Sequence, residues 1–392
     1  MGFYDGLTFF IALFIGCIPA VILGFAQKNR EKYILFFSLV MAYLIYKEDP
    51  KGLLYLITYI FLETTIIQLY QASRKEWGKK PTIFHLAVAW AICPLALAKL
   101  SGLFGTNIFG FIGISYITFK VIQIIIETYD GVIEESKFSK TLSFLLFFPT
   151  LSSGPIDRSR RFEEDLAAIP SRADYADLLQ AGLRKILLGV LYKFVLSAIF
   201  FDFLQKVTGR YAPQYLILYA YIYGFYMFFD FAGYSLMAIG TGYILGIRVP
   251  DNFNKPFISL DMIDFWNRWH ISLSHWFRDF IFSRFMVTSI RKKWFKKRLN
   301  AASIGFIVNM LVMGIWHGLS FDYIFYGLYH GVLLALTERW QKTKWYKKYR
   351  KNGWYKAASW FITLNLVMFG FLIFSGYFTE AIHALGRVLA CR

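Results

Sequence analysis

The stretch Asp264-Phe-Trp-Asn-Arg-Trp-His270-Ile-Ser-Leu-Ser274 places a histidine among aromatic and apolar residues, and Met313-Gly-Ile-Trp-His317-Gly318 places a second one 47 positions later. Both lie in sequence apolar enough for a membrane. A charged side chain at the bilayer centre costs about 2.5–3.5 kcal/mol on insertion scales. Each histidine is therefore either a functional group that exchanges protons near neutral pH or a structural group hydrogen-bonded to a neighbouring helix.

Around these stretches the composition is that of a polytopic membrane protein. The 392 residues are 57% hydrophobic and 20% aromatic, and the mean hydropathy is +0.45. A water-soluble domain of this kind would expose too much apolar surface. We therefore expect an all-α chain forming a single integral-membrane domain over residues 1–392. The apolar stretches of spanning or near-spanning length are 7–25, 33–46, 52–71, 83–100, 103–126, 185–205, 213–230, 232–247, 301–316, 321–337 and 357–378.

The positive charge of the chain predicts its orientation. The net charge is +18, and much of it lies in four runs between apolar stretches, at 28–32, 74–80, 291–298 and 342–351. Because basic short loops stay on the cytoplasmic side, these runs place the N-terminus outside. Attraction to anionic lipid headgroups is the simpler interpretation of most of the runs.

Two regions depart from the pattern of simple crossings. Region 127–184 contains Pro149, Gly154 and Pro155, which break helices or permit tight turns, and it predicts a broken or re-entrant segment. Region 248–300 interleaves charged residues with aromatic residues at helical spacing. This pattern predicts an amphipathic or re-entrant helix at the membrane interface.

The two histidines allow acyl transfer if the fold brings them together. Burial in a dry cavity keeps an imidazole neutral, and a neutral His317 can take a proton from a hydroxyl that attacks an activated acyl group. His270 would assist or position the reactants. Trp266, Trp269 and Trp316 are candidates for the walls of a substrate tunnel, although helix packing or anchoring at the membrane interface explains them equally well.

Three polar neighbours complete the predicted tunnel. Asn267 and Arg268 are suited to orienting a substrate or stabilising negative charge on oxygen, and Ser272 follows two positions after His270. For Arg268, an ion pair with Asp264 one turn earlier is at least as good an explanation. The other histidines, expected to be structural or interfacial, are His85, His275, His383 and, as the best candidate for a supporting role, His330.

Other familiar catalytic devices are absent from the sequence. It contains no G-x-S-x-G turn, Walker loop, H-E-x-x-H zinc helix or G-x-G-x-x-G element. The three cysteines, Cys17, Cys93 and Cys391, form no C-x-x-C pair, so neither a disulfide framework nor a thiolate metal site is indicated. We therefore expect direct transfer in a ternary complex, with no metal and no bound cofactor.

A series of motifs along the chain is shared with a known family. In chain order these are Gly113-Ile-Ser-Tyr-Ile-Thr-Phe119, Phe147-Phe-Pro-Thr-Leu-Ser-Ser-Gly-Pro-Ile-Asp-Arg158, Phe229-Asp-Phe-Ala-Gly-Tyr-Ser-Leu-Met-Ala-Ile-Gly240, Asn252-Phe-Asn-Lys-Pro-Phe257, Phe265–Asp279 and Gly314-Ile-Trp-His-Gly318. They resemble the membrane-bound O-acyltransferase (MBOAT) family. The resemblance implies a ring of about 11 tilted transmembrane helices around a thinned centre with a tunnel, plus re-entrant and interfacial helices. It also implies His317 as the principal catalytic residue and His270 as its usual polar partner.

Within the family, the chain is most similar to the branch that acts in teichoic acid D-alanylation. This resemblance implies a D-alanyl donor: the phosphopantetheine thioester of a small acidic carrier protein on the cytoplasmic face. It implies lipoteichoic acid as the eventual acceptor and other D-alanylation membrane proteins as partners. The implied location is the cell membrane of a Gram-positive bacterium, and no nucleic-acid partner is expected.

The basic stretch 285–298, which we expect to form a helix, suits such a carrier. It combines an apolar face with a basic one. Charge would then govern the rate at which the carrier associates, and apolar contact would govern the lifetime of the complex. Binding to the membrane surface is the other interpretation of the same residues. The residues expected to dock the carrier are Met286, Val287, Ile290, Arg291, Lys292, Lys293, Trp294 and Arg298.

The main alternative inside the family is an alginate-type polysaccharide O-acetyltransferase. Those relatives usually continue after the Trp-Phe-Arg-Asp stretch with a Pro-Leu-Gly-Gly-Asn-Arg-like turn, whereas this chain continues Phe280-Ile-Phe-Ser-Arg-Phe-Met286. Two alternatives lie outside the enzyme class. One is a transporter or channel with a histidine proton relay, for which the sequence shows no internal repeat; the other is a scaffold that recruits the carrier.

Overall fold

A computed structural model describes residues 2–390, and Cys391 lies outside this range. The expected all-α class is confirmed: apart from one isolated bridge between Phe253 and Trp269, the described chain forms helices, turns and loops. The helices divide into two compact units. The first unit runs to Val190 and includes Tyr234–Asp251, and the second consists of Leu191–Gly233 and the residues from Asn252 onwards.

The first unit contains the long helices near the N-terminus. Proline at the first position suits the start of a helix, because its missing N–H would have no partner there, and Pro50 and Pro81 occupy such positions. Asp49 caps the helix that begins at Pro50 by accepting a hydrogen bond from the Gly52 backbone N–H, at 2.9 Å. The helices are α1 (Gly6–Phe25), α2 (Glu31–Tyr46), α3 (Pro50–Trp77), α4 (Pro81–Leu103), α5 (Ile114–Asp130), α6 (Phe138–Leu146), α7 (Ser159–Ala167) and α8 (Arg172–Val190).

The second unit contains the helices that carry both histidines. Helix α8 continues through a π-helical turn, Leu191–Leu196, into α9 (Ser197–Val207), and α10 (Pro213–Ile244) contributes to both units. The remaining helices are α11 (Met262–Trp266), α12 (Ile271–Phe277), α13 (Ser283–Arg291), α14 (Arg298–His317), α15 (Phe321–Gln341), α16 (Lys344–Tyr349), α17 (Gly353–Phe374) and α18 (Tyr377–Ala390). A second π-helical turn, Arg278–Phe282, joins α12 to α13.

Several helices are long and apolar enough to cross a membrane, so the prediction of a multi-pass protein is confirmed. Within residues 2–390, seven helical segments of at least 18 residues are apolar enough for a crossing, and the ring of about 11 tilted helices stays a prediction. The seven are Gly6–Phe25, Pro50–Trp77, Pro81–Leu103, Arg172–Val207, Pro213–Ile244, Arg298–His317 and Gly353–Phe374. The predicted spans 213–230 and 232–247 are one continuous helix, α10, since no proline interrupts them. The predicted span 103–126 is broken because Gly105, Phe109 and Gly113 adopt positive φ angles.

The predicted break in region 127–184 is present between α6 and α7. Here a 3₁₀ turn, Phe148–Thr150, leads into a buried irregular stretch. Lys120 on α5, only 1% exposed, donates from Nζ to the Phe144 carbonyl oxygen at 2.9 Å and to Thr150 Oγ1 at 3.0 Å. Polar groups far from water must find their hydrogen-bond partners inside the protein, and Lys120 supplies a donor to a carbonyl in the last turn of α6 and to a hydroxyl of the 3₁₀ turn.

Region 248–300 is more broken than its aromatic spacing predicts. Instead of one amphipathic helix, α11 ends at Trp266 and α12 begins at Ile271, with His270 between them. The predicted docking helix 285–298 is helical only to Arg291, where α13 ends. The chain turns there because Lys293 adopts a left-handed conformation, with φ of 53°.

The Lys120 contacts predict a large effect on stability. Lys120→Met should lower the free energy of unfolding by about 3 kcal/mol, because it leaves a buried carbonyl and a buried hydroxyl without their donor. Thermal denaturation of the purified protein in detergent measures this change. Lys137→Met, at an exposed position just before α6, is the control. Equal melting temperatures for the two variants would contradict the role assigned to Lys120.

Candidate functional site

Backbone hydrogen bonds fix the position of His270. The Ile271 N–H donates to the Asn252 carbonyl oxygen at 2.9 Å, and the Asn254 N–H donates to the Arg268 carbonyl oxygen at 3.0 Å. Between these bonds His270 adopts φ 44° and ψ 53°, a left-handed conformation that is uncommon for residues other than glycine. Such conformations persist where the surroundings enforce them and are concentrated at functional sites.

The imidazole of His270 is buried and neutral. It is 4% exposed, and its Nε2 atom has no hydrogen-bond partner within the described part of the chain. The ring of Phe231 meets it edge-on, with 4.7 Å between ring centroids. Burial, and secondarily electrostatic repulsion from His317, lower the pKa of His270 to about 3. The fold therefore brings the two histidines within electrostatic reach of each other.

His317 is the last residue of α14, at the end opposite the basic residues that precede this helix. Its half-buried ring lies among aromatic rings, with centroids 4.5 Å from Trp316, 5.1 Å from Phe374 and 6.0 Å from Tyr323. The sequence predicted a histidine near mid-membrane. The structure places this histidine at the C-terminal end of a 20-residue helix.

Glycines bring α14 and α15 unusually close together behind His317. A Cβ atom on Gly314 would lie 2.4 Å from the Tyr323 carbonyl oxygen, and one on Gly327 would lie 2.4 Å from the Met310 carbonyl oxygen. Real Cβ atoms do not approach other atoms so closely. Any larger residue at either position would therefore push the two helices apart and displace His317.

A hydrogen bond links Trp266 to His330, which is 1% exposed. The indole Nε1–H donates to His330 Nδ1 at 3.3 Å. The ring of Tyr326 lies between the two histidines of α14 and α15, 4.4 Å from His330 and 6.3 Å from His317 by centroid distance. The hydrogen bond therefore fixes the orientation of the Trp266 indole, and the supporting role of His330 stays a prediction.

A cavity of about 300 Å³ lies beside Trp266. Four of its lining residues, Phe306, Asn309, Met310 and Met313, come from α14. Their spacing places them on one face of that helix, and His317, four residues after Met313, continues the same face. The other lining residues are Ile263, Trp266, Asn267, Ser274, His275, Arg278, Phe282 and Leu334. The cavity therefore extends along α14 as far as Met313, about one helical turn before His317.

The structure places the other predicted tunnel residues around this cavity rather than in its wall. Arg268 pairs with Asp264, with Nε to Oδ1 at 2.7 Å, which is the alternative that the sequence left open. Ser272 donates from Oγ to Asn252 Oδ1 at 2.6 Å. Trp269 is buried, with its ring stacked on Phe265 at 5.7 Å. These three residues hold the segment around His270, and Trp316 adjoins His317.

A groove of about 790 Å³ runs beside α13. Met286, Val287 and Ile290 of the predicted docking residues line it together with Arg298. Val287 is 65% exposed, and the neighbouring basic residues Arg291, Lys292 and Lys293 are exposed, as is Trp294.

Phe282 and Phe306 line both this groove and the cavity beside Trp266, and their rings stack with 4.6 Å between their centroids. The two spaces therefore adjoin at this aromatic pair.

Sequence reasoning missed two polar residues of the site. Asn252 was recognised only as part of a motif, and nothing in its spacing indicates that it holds Ser272. Asn309 lies inside the predicted span 301–316, and a polar residue in such a stretch is itself a signal of function. Within residues 2–390, no three His, Cys, Asp or Glu side chains form a group suited to a metal ion.

Comparison with known proteins identifies the family. The profile of "MBOAT, membrane-bound O-acyltransferase family" matches residues 55–379. The chain is 42% identical to the "Teichoic acid D-alanyltransferase" of Bacillus subtilis, over 95% of this chain and 98% of that protein. It is 40% identical to the protein of the same name from Streptococcus thermophilus, over 96% and 95%.

More distant similarity extends to a second group. The chain is 34% identical to the "Probable alginate O-acetylase AlgI" of Pseudomonas syringae pv. tomato, over 71% of this chain and 50% of that protein. The family profile covers both histidines and every element that positions them. The chain therefore belongs to the membrane-bound O-acyltransferase family and is a multi-pass membrane acyltransferase.

Proposed function

We propose that this protein transfers D-alanine from the phosphopantetheine thioester of an acidic carrier protein across the membrane, towards lipoteichoic acid. The names of its near full-length relatives support D-alanyl transfer to teichoic acid. The observation that carries the proposal is the path beside α14. It joins an exposed apolar and basic groove to a cavity on the helix face that ends at His317.

The chemical step requires one proton carrier. His317 takes the proton of the acceptor hydroxyl as that oxygen attacks the thioester carbonyl carbon. The new C–O bond forms a tetrahedral intermediate, which collapses by breaking the C–S bond. The imidazolium of His317 then returns its proton to the departing thiolate, so the products are an ester and a free thiol. Direct transfer of this kind needs no acyl-enzyme.

His270 acts as a neutral partner in this scheme. Because its pKa is about 3, it carries no charge at neutral pH and does not hinder protonation of His317. One ring nitrogen of a neutral imidazole carries a hydrogen and can donate to the oxygen that becomes negative in the intermediate. The unpartnered Nε2 atom is the atom of His270 that remains available to a substrate.

The carrier docks on the groove beside α13. Val287 and Ile290 offer exposed apolar contact, and Arg291, Lys292 and Lys293 offer positive charge to an acidic partner. The basic runs lie on the cytoplasmic side by the rule for short loops, which places the N-terminus outside. The carrier and the acceptor then approach from opposite faces, in the membrane of a Gram-positive bacterium together with other D-alanylation proteins.

Acetylation of a polysaccharide is the second candidate. The alginate O-acetylase relatives support it, although they cover only 71% of this chain and half of their own length. Family membership favours an enzyme over the transporter, channel and scaffold interpretations. Mass spectrometry of the acyl group transferred by the purified protein distinguishes D-alanine from acetate.

The role of His317 predicts a large loss of turnover. His317→Ala should lower D-alanyl transfer from a charged carrier by about 10²–10⁴-fold, since a positioned general base contributes that much. The measurement is transfer of radiolabelled D-alanine by the purified protein in liposomes. His383→Ala, at an exposed position on α18, should leave transfer unchanged. A folded His317→Ala variant with normal transfer would exclude His317 as the base.

The neutral state of His270 predicts an unchanged pH profile in its variant. His270→Asn should reduce turnover by about 10²-fold, as for the loss of one donor to the developing oxyanion. The charge of His270 in the parent protein does not change between pH 5 and 9, because its pKa is about 3. The pH at which turnover is half-maximal on the acidic side of the pH–rate profile should therefore be the same in the variant and the parent protein. A shifted midpoint would show that His270 titrates in the working range.

The docking groove predicts two kinds of defect. Val287→Asp should weaken carrier binding about tenfold or more, because it places a charge in apolar contact. Reversal of Arg291, Lys292 and Lys293 to Glu should weaken binding strongly at low salt and less as salt screens the charges. Surface plasmon resonance with immobilised carrier measures both effects.

The matched control for these variants is Lys347→Glu with Lys348→Glu, which reverses charge in the basic run around α16. These residues are exposed but lie outside the groove. If the control weakens carrier binding as much as the α13 reversal does, general electrostatic attraction replaces specific docking as the explanation.

A further inference from the structure

Asn309 is a buried polar side chain whose acceptor is unused. It is 7% exposed and lies in the second half of α14, a candidate membrane span. Its Oδ1 atom has no hydrogen-bond partner within the described part of the chain. Its Nδ2 atom has only a weak contact with the sulfur of Met310, at 3.9 Å. A buried amide without good partners is costly, so its retention requires an explanation.

The surroundings of Asn309 indicate that the partner is a ligand. Asn309 lines the cavity of about 300 Å³ beside Trp266, on the face of α14 that continues to His317. Arg278 and His275 line the same cavity, and the groove beside α13 adjoins it at Phe282 and Phe306. A chain-like ligand running from the groove to His317 would pass Asn309.

The spacing along α14 suits one particular group of such a ligand. Asn309 precedes His317 by eight residues, which is about 12 Å along a helix axis. In a phosphopantetheine arm, seven bonds separate the sulfur from the second amide nitrogen, or about 9 Å in an extended chain with bonds of about 1.5 Å. A hydrogen bond adds about 3 Å. With the thioester at His317 and the arm extended along α14, the second amide N–H therefore comes within hydrogen-bond reach of Asn309 Oδ1.

We propose that Asn309 is a specificity-determining residue that accepts a hydrogen bond from the second amide of the donor's pantetheine arm. This inference rests on the proposed function, since it takes the donor to be a carrier-bound phosphopantetheine thioester. Asn309 positions the arm along α14 so that the thioester stops at His317. It contacts the arm and takes no part in the proton transfers.

A double-substitution experiment tests this pairing. One change is Asn309→Leu, which keeps the approximate volume and removes the amide. The other is made in the donor, by loading the carrier with a D-alanyl arm whose second amide N–H is replaced by an ester oxygen. Initial rates of D-alanyl transfer give KM and kcat for both proteins with both carriers. Val312→Leu, at a lipid-exposed position on the same helix, is the control.

The expected result is non-additive. Either change alone should raise KM about five- to tenfold with little change in kcat, the effect of one hydrogen bond between neutral groups. The two together should raise KM no further. Val312→Leu should respond to the altered arm as the parent protein does.

Two other results lead to different conclusions. Asn309 does not bind this amide if Asn309→Leu transfers normally from the native arm. The same conclusion follows if the increases in KM from the two changes multiply when the changes are combined. If the parent protein transfers D-alanine from neither carrier, the proposed function itself fails. The altered arm also provides a check of folding. If Asn309→Leu transfers D-alanine from this arm as fast as the parent protein does, the variant is folded.

Discussion

The hydrogen bonds between residues 252–254 and 268–272 are the constraint on which the site depends. They join two short segments that are not in a common helix, and they hold His270 in a left-handed backbone conformation. The aromatic side chains from Phe265 to Phe280 are spaced as in one continuous helix, which this stretch would form without these hydrogen bonds. His270 would then lie on a helix face and not at the turn between α11 and α12. The break also lets Trp266 reach His330 on α15.

Much of the fold and the centre of the site could be predicted from sequence, because hydropathy and motifs act locally. The membrane class and the break near Pro149 follow from residue types at known spacing, and the same patterns mark His270 and His317 as candidates. The number of spans does not, since α10 shows that two apolar stretches can form one helix. Asn252 and His330 act through partners 20 and 64 residues away, and no local pattern specifies such pairs.

The polar groups of the second unit fall into two sets. Most are paired inside the protein, as Arg268 with Asp264 and Ser272 with Asn252, and these give the site its shape. A smaller set of buried atoms has no partner among the residues described: Asn252 Nδ2, His270 Nε2, Asn309 Oδ1 and His330 Nε2. A buried polar atom without a partner is costly, so these atoms are the ones that a substrate would satisfy under the proposed function.

The glycine contacts between α14 and α15 affect how the enzyme responds to the bilayer around it. Membrane helices accommodate a thicker or thinner lipid layer by tilting. Because the two backbones touch at Gly314 and Gly327, these helices must tilt as one body. The separation between His317 and His330 then stays constant while the lipid composition changes. The contact between the two helices would therefore keep the surroundings of His317 unchanged in bilayers of different thickness.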